Sequence, residues 1–358
     1  MTKYFSDKIR CISFVSMVMV VILHSYNVIL NTLSGSITIT KGYNYFIQTF
    51  ISQGIVRVAV PLFFLISGYL FFRNINTGAF NEFLQKYKTR FKSLVIPYLF
   101  WSIWCIFLYL ILQSIPASKP FFTTDLIRDY SFSDLLNRIF ITPLPYQFWF
   151  VRDLVIWVIL SPLVYRILKY TKALFLIIGF IAWSFEFDFV IFTNISFFFF
   201  LTGSYLGINR VKFDLLLQKD FKYTYLFVCL WLITVTVFTC LTYIDYAHEW
   251  VLVLFYKTST LVGIVALWFG YDKIYRNKDI SKKWYFPIFK YSFFIYVIHE
   301  PMMVMMRKGL YSFLGFNQLS SFIIYFAAPL IVITFAISVG ALMRRFLPKI
   351  YAFVTGER

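Results

Sequence analysis

Charge is what this chain has least of. Only 14% of its 358 residues are Asp, Glu, Lys or Arg and 60% are hydrophobic, whereas a soluble domain carries ~25% charged residues. An ordinary soluble globule is therefore excluded. Cysteine is scarce as well. Cys11, Cys105, Cys229 and Cys240 all lie in apolar runs without metal-ligand spacing, so they read as small buried hydrophobes, with neither a disulfide framework nor a metal expected. No Pro/Gly/Ser-rich linker divides the chain, which leaves a single domain over residues 1–358. No internal repeat is visible, and inverted repeats are a mark of many transporters. No glycine-rich loop suited to cradling phosphates occurs either. Acidic residues number 16 against 34 basic ones, a net charge of +18. In a soluble protein that excess would suggest nucleic acid. In a chain this apolar it records basic cytoplasmic loops, so nucleic acid is not an expected partner.

What is present is a succession of apolar runs, at roughly 11–30, 55–72, 94–112, 148–164, 173–185, 189–208, 223–243, 247–269, 287–306 and 318–343. A transmembrane helix needs ~20 predominantly apolar residues. The expected fold is accordingly all-α, a polytopic transmembrane helical bundle of about ten spans. No small-residue cleavage site follows the first run, so that run is expected to be retained. Basic residues set the orientation. The N-terminus and alternate loops hold twenty-five lysines and arginines on one side, against Lys41, Lys119, Arg128, Arg138, Arg307 and Lys308 on the other. By the positive-inside rule both termini are cytoplasmic.

The first run organises the rest. Lys8 and Arg10 precede it and His24 lies near its far end. The fourteen residues from Arg10 to His24 amount to roughly 21 Å of rise and a ~40° angular offset, one stripe of one helix. With the termini inside, three further runs bring ionisable groups to the depth of His24: Arg57, the pair Arg152 and Asp153, and the pair His299 and Glu300. Each such charge costs ~2.5–3.5 kcal/mol in the bilayer even on the lenient scale, so these groups are expected to face a polar cavity and to serve a function. Structural ion pairs between the arginines and the carboxylates are the plainer alternative, but two histidines in that layer exceed what an ion-pair network needs. Adjacent residues do not share a helix face, so Glu300 is expected to pair with an arginine of another span, and His299 to orient His24 or hold the acceptor. Pro301 is expected to kink its helix. Lys257 sits mid-span with no identifiable carboxylate, and Asn194, Ser196 and Thr202 suit interhelical hydrogen bonds. Between 114 and 147, Asp125, Arg128, Asp129, Asp134, Leu135, Leu136 and Ile139 outline a short amphipathic helix at the surface; the Glu186 and Asp188 carboxylates close the fifth run.

Five stretches in order, VVILHSYN, RVAVPLFFLISGYLFF, FWFVRDLVIWVILSPLVY, SFFFFLTGSYLGI and YSFFIYVIHEP, resemble the acyltransferase-3 family of bacterial membrane enzymes that O-acylate surface glycans. The resemblance implies transfer of an acyl group, commonly acetyl, from cytosolic acyl-CoA to a hydroxyl of a surface polysaccharide or lipid-linked sugar at the plasma membrane. It implies no bound cofactor, and an essential histidine at His24. His24, His299 and Glu300 are the catalytic candidates, Arg57, Arg152 and Asp153 the substrate-binding ones, and no metal site is expected. The family usually carries an arginine ten intervening residues before the histidine, where this chain has Ser13. Lys8 or Arg10 is left to take that donor-binding role. The chemistry suits the residues, since an imidazole titrates near neutrality and an arginine can hold an oxyanion. A transporter or flippase built on an intramembrane His/carboxylate relay is the alternative.

The charge asymmetry gives a direct expectation. A reporter fused after Arg358 should read as cytoplasmic and one inserted near Lys119 as external; the reverse at either point overturns the orientation.

Overall fold

In a computed structural model the chain folds as a helical bundle, described here over residues 1–32, 35–116, 126–187, 189–246 and 248–356. Lys119, Asp125, Asp188, Ala247 and Arg358 lie outside the described residues. Helix α1 runs over Lys3–His24, its first turn capped by the Thr2 hydroxyl, which accepts from the Phe5 N–H at 3.2 Å. The Ser25 N–H and hydroxyl both turn back onto the Ile22 carbonyl, at 3.1 and 2.8 Å, and end the helix just past His24.

One feature departs from an all-α expectation. Strands β1 (Ile29–Thr32) and β2 (Gly35–Thr38) pair antiparallel, with Ile29 opposite Thr38. The β-branched, Ser/Thr-rich composition of that loop favours strand over helix.

Helix α2, Tyr43–Phe72, is continuous but irregular. A π turn at Thr49–Gly54 and a 3-10 turn at Ile55–Val58 interrupt the α geometry before it resumes over Ala59–Phe72. Pro61 cannot donate to the backbone one turn earlier, which accounts for part of that irregularity. The bundle continues with α3 (Phe80–Ser114), the short α4 (Phe132–Phe140), and α5 (Trp149–Ile159) followed by α6 (Ser161–Thr171). These last two are bent by 68° about a break just before Pro162. Then come α7 (Leu174–Ser184), α8 (Asn194–Ile208), α9 (Arg210–Gln218), α10 (Thr224–Tyr243), α11 (Glu249–Tyr275), α12 (Ser292–Leu314), α13 (Gln318–Phe346) and α14 (Pro348–Thr355).

Five of these helices, α2, α3, α10, α11 and α13, are long and apolar enough to cross a membrane, and the bent pair that contains α5 and α6 makes a sixth. With apolar side chains such as Leu226, Ile233 and Leu330 turned outward, this is a multi-pass membrane protein. The two helices that carry His24 and His299 are not among the five, because each keeps charged residues along its length: Asp7, Lys8 and Arg10 in α1, Glu300, Arg307 and Lys308 in α12. Close packing of α2 on α8 depends on two glycines, since a Cβ at Gly203 would run into the Leu65 carbonyl and one at Gly68 into the Phe200 carbonyl. Small residues of this kind let helix backbones approach where no hydrophobic drive separates lipid from protein.

Lys8 is part of the framework. Its ammonium lies 2.6 Å from Asp272 Oδ2, with both side chains fully buried, and donates to the Leu217 carbonyl at 3.1 Å. The Tyr4 hydroxyl donates to the other Asp272 oxygen, and the Trp268 ring covers the ammonium at 4.6 Å. The expectation that Lys8 serves a donor site gives way here, because Asp272, 264 residues away in sequence, draws it to the side of α1 that packs on α11. Cys229 and Cys240 also differ from expectation: both are exposed on α10, whereas Cys11 and Cys105 are buried.

Breaking a buried pair by removing one partner costs about 3–5 kcal/mol. Lys8→Met or Asp272→Asn should each lower the melting temperature in detergent, and Lys8→Met with Asp272→Leu should recover most of the loss. A double variant as unstable as the singles would show that more than the pair is at work.

Candidate active site

A cavity of about 900 Å3 follows α1 along one stripe, touching Arg10, Ser13, Met17, Val20 and His24 in turn. One end is cationic, with Arg10 joined by Arg90 from α3 and by Lys290 from the segment before α12. The other end holds His24, Gln53 and Arg57, with Tyr146 and Gln147 from the turn leading into α5. Between them the walls are apolar, formed by such residues as Phe63, Phe150 and Leu154. The fourteen residues from Arg10 to His24 thus become roughly 21 Å of cavity length.

At the far end, the Nδ1 atom of His24 lies 3.7 Å from Glu300 Oε1. The His299 ring packs against His24 edge-on, with centroids 5.1 Å apart and planes at 66°. Adjacent residues of α12 both reach His24 because Glu300 is not helical: its φ of −115° and ψ of 133° break α12 just before Pro301. The expectation that Glu300 turns to an arginine of another span fails on that local geometry. The broken backbone is closed by Gln147, whose side-chain amide donates to the Glu300 carbonyl at 3.0 Å. In turn the Tyr296 hydroxyl donates to the Gln147 carbonyl at 2.6 Å.

The tautomers follow from these partners. His299 Nδ1 is 2.7 Å from the Tyr296 carbonyl and must donate there, which leaves the fully buried Nε2 as an acceptor with no partner of its own. With Nδ1 of His24 turned to the carboxylate, its Nε2 carries the free lone pair. A histidine oriented by a carboxylate has the arrangement a general base requires, although at 3.7 Å this contact is longer than a hydrogen bond.

The arginines divide. Arg57 lines the cavity, where it donates from Nη2 to Gln53 and lies 5.9 Å from the centre of the Tyr256 ring. Arg152 and Asp153 lie outside it. Arg152 Nη2 is 2.8 Å from Asp153 Oδ1 and Nη1 donates to the Ile141 carbonyl at 2.5 Å. The other Asp153 oxygen accepts from the N–H and hydroxyl of Thr193, both at 2.8 Å, at the start of α8. That pair ties α5 to α8 and to the chain after α4, the plainer of the two readings the sequence allowed. Ser196 helps on the same seam by accepting from Trp157 at 3.0 Å, whereas Thr202 donates to the Phe198 carbonyl of its own helix. The missing carboxylate for Lys257 is Glu186, at 2.9 Å.

Sequence reasoning passed over three cations. Arg90, Lys290 and Arg307 read in the sequence as loop charge, yet Arg90 and Lys290 line the cavity and Arg307 donates to the Tyr26 carbonyl at 2.7 Å, two residues past His24.

The acyltransferase-domain family model, that of the acyltransferase-3 proteins, matches residues 7–343. The chain belongs to the acyltransferase-3 family. It is a membrane-embedded acyltransferase. The family's usual arginine is replaced by Ser13, which lines the cavity one turn from Arg10. A relative is the succinoglycan biosynthesis protein ExoH of Rhizobium meliloti (strain 1021), 24% identical over 326 residues, covering 87% of this chain and 82% of the relative. No solved structure matches the chain.

Asp153 tests the division among the charged groups. Asp153→Asn should lower the melting temperature while leaving acyl transfer per folded molecule within about threefold of wild type. A stable variant with transfer lost would return Asp153 to the substrate.

Proposed function

We propose that this enzyme moves an acyl group, acetyl in the simplest case, from cytosolic acyl-CoA to a hydroxyl of a surface polysaccharide or lipid-linked sugar, in the plasma membrane of a bacterium. In this reading about ten spans cross the bilayer with both termini cytoplasmic, so the Arg10 end of the cavity opens toward the cytosol. The single observation that carries it is the cavity along α1, cationic at Arg10, Arg90 and Lys290 and basic at His24. The anionic phosphates of CoA suit the first end, and an extended thioester arm suits the apolar stretch between. Arg10, on the cavity stripe beside Ser13, is a better donor ligand than the buried Lys8. The acceptor side draws on the printed role of the relative, succinoglycan biosynthesis.

In the reaction His24 Nε2 takes the proton of the acceptor hydroxyl as its oxygen attacks the thioester carbonyl. The oxyanion that forms is met by Arg57. The tetrahedral centre then collapses, the C–S bond breaks, and the leaving thiolate recovers the proton from His24. Glu300 stabilises the intervening imidazolium, and His299 holds the His24 ring by packing against it.

Purified protein supplied with acetyl-CoA and acceptor should release free CoA thiol; proton-coupled flux without CoA release would favour the transporter reading instead. His24→Ala should lower transfer by ~10²–10⁴, the usual worth of a general base, at normal protein abundance. His299→Ala should retain more activity. Normal turnover in His24→Ala would overturn the mechanism.

A further inference from the structure

The two ends of the cavity differ in more than charge. Its middle is walled by such residues as Phe63, Phe150 and Leu154, and on the proposed reading CoA accounts for the Arg10 end. The His24 end combines two kinds of surface: Gln53 and Arg57 bring planar polar groups, and Tyr146 brings a phenol ring. Among the described aromatic residues of the cavity wall, Tyr146 alone is exposed, at 69%. It therefore stands at the rim, its ring centroid 5.9 Å from that of His24 and its plane inclined by 68°.

The ring is held by its own turn. Tyr146–Phe148 is a 3-10 turn in which the Phe148 N–H donates back to the Pro145 carbonyl at 2.8 Å. The next residue, Gln147, is 2% exposed and tied twice to α12, through its amide to the Glu300 carbonyl at 3.0 Å and through its own carbonyl to the Tyr296 hydroxyl at 2.6 Å. The segment that closes the Glu300 break thus also presents a ring beside His24. The Tyr146 hydroxyl makes no hydrogen bond among the described residues, so the ring itself is what this position offers. Gln53 accepts from Arg57 through its side-chain oxygen, and its amide nitrogen meets no acceptor among the described residues.

A pyranose needs both kinds of surface. Its hydroxyls lie round the edge and take planar donors and acceptors, while its axial C–H bonds form an apolar face whose slightly positive hydrogens suit the negative face of an aromatic ring. A tyrosine at a membrane surface is ordinarily an interfacial anchor, but an anchor turns to lipid, whereas Tyr146 lines the cavity and packs on His24. We propose that Tyr146 is the platform on which a sugar ring of the acceptor stacks, presenting one of its hydroxyls to His24. The proposal rests on the acyltransfer reading for what enters the site, and on the exposed ring at the cavity rim for where it binds.

Binding to the full-length protein in lipid nanodiscs, free of sugar-headed detergent, tests this without turnover. Saturation-transfer NMR is run with cellotetraose, methyl β-galactoside and methyl α-rhamnoside, and acetyl-CoA affinity is measured in parallel. In the wild-type protein the axial C–H protons of at least one sugar should receive saturation. Tyr146→Ala should weaken that sugar's binding about fivefold, the scale of one aromatic stacking contact, and erase the C–H pattern. Tyr146→Phe and Tyr146→Trp, which keep a ring, should stay within about twofold of wild type. Acetyl-CoA affinity should stay within about twofold throughout. Absence of saturation on all the sugars overturns the proposal, as does a Tyr146→Ala protein that binds like wild type. A Tyr146→Phe loss as large as that of Tyr146→Ala would put the contact on the hydroxyl, and a parallel loss of acetyl-CoA binding would make the residue structural; either also overturns it. Wild-type protein that takes a sugar on Tyr146 but no acetyl-CoA would leave the platform standing and remove the acyltransferase reading.

Discussion

A charge drawn into an apolar bundle has to be met by an opposite charge, by hydrogen-bond acceptors or by a ligand, because bilayer and protein core alike withhold the water that would otherwise solvate it. That constraint shapes this fold from its base upward. Asp272 holds Lys8 and so joins the foot of α1 to α11; Asp214 holds Arg73 and joins α2 to α9; Asp153 holds Arg152 and the start of α8; Glu186 holds Lys257 and joins α7 to α11. These contacts fix the helices around the cavity that Arg10, Arg57, Arg90 and Lys290 line. Replacing such pairs by apolar residues need not weaken a protein, so their value here lies in setting which helix neighbours which, with the cavity as the consequence.

Within that frame α1 acts as a ruler, with Arg10 at one end of its cavity stripe and His24 at the other. Its far end is held by a second device, a fully buried amide and hydroxyl cluster. Gln48 accepts from the Asn27 N–H at 2.9 Å and donates to the Asn27 and Asn44 side chains at 2.7 and 2.8 Å. The Ser321 hydroxyl donates to Asn27 at 2.5 Å and accepts from Asn44 at 2.7 Å. Such a network is costly if any member is left unsatisfied, and its geometry is correspondingly specific. It fixes the chain three residues beyond His24, and with it the direction in which the imidazole leaves the helix.

How much of this could be read from the residues depends on how local each contact is. The stripe joining Arg10 to His24 follows from helix period alone, and the gathering of His24, Arg57, His299 and Glu300 follows from run order and charge asymmetry. Partners distant in sequence were not legible. Nothing near Lys8 points to Asp272, nor near Lys257 to Glu186, and Arg152 and Asp153 looked as fit for substrate as Arg57 until Thr193 and the Ile141 carbonyl were found against them. Arg307 was hidden for a different reason: charge near a helix end is ordinarily orientation signal.

The most consequential miss concerns a single residue's backbone. On a regular helix His299 and Glu300 would leave the axis ~100° apart, and only one could meet His24. The extended conformation of Glu300 removes that restriction and frees its carbonyl from the helical ladder. A freed carbonyl at this depth is tolerable only where protein or a water-filled cavity satisfies it, and Gln147 does so from the turn that enters α5. Tyr296, one turn before the break, bonds that same turn through its hydroxyl while its own carbonyl fixes the His299 tautomer. The break, the α5 entry and the orientation of both histidines therefore depend on one another. That places the geometry around the two histidines on an interface between helices, so a change at Gln147 or Tyr296 reaches His24 through His299 and Glu300.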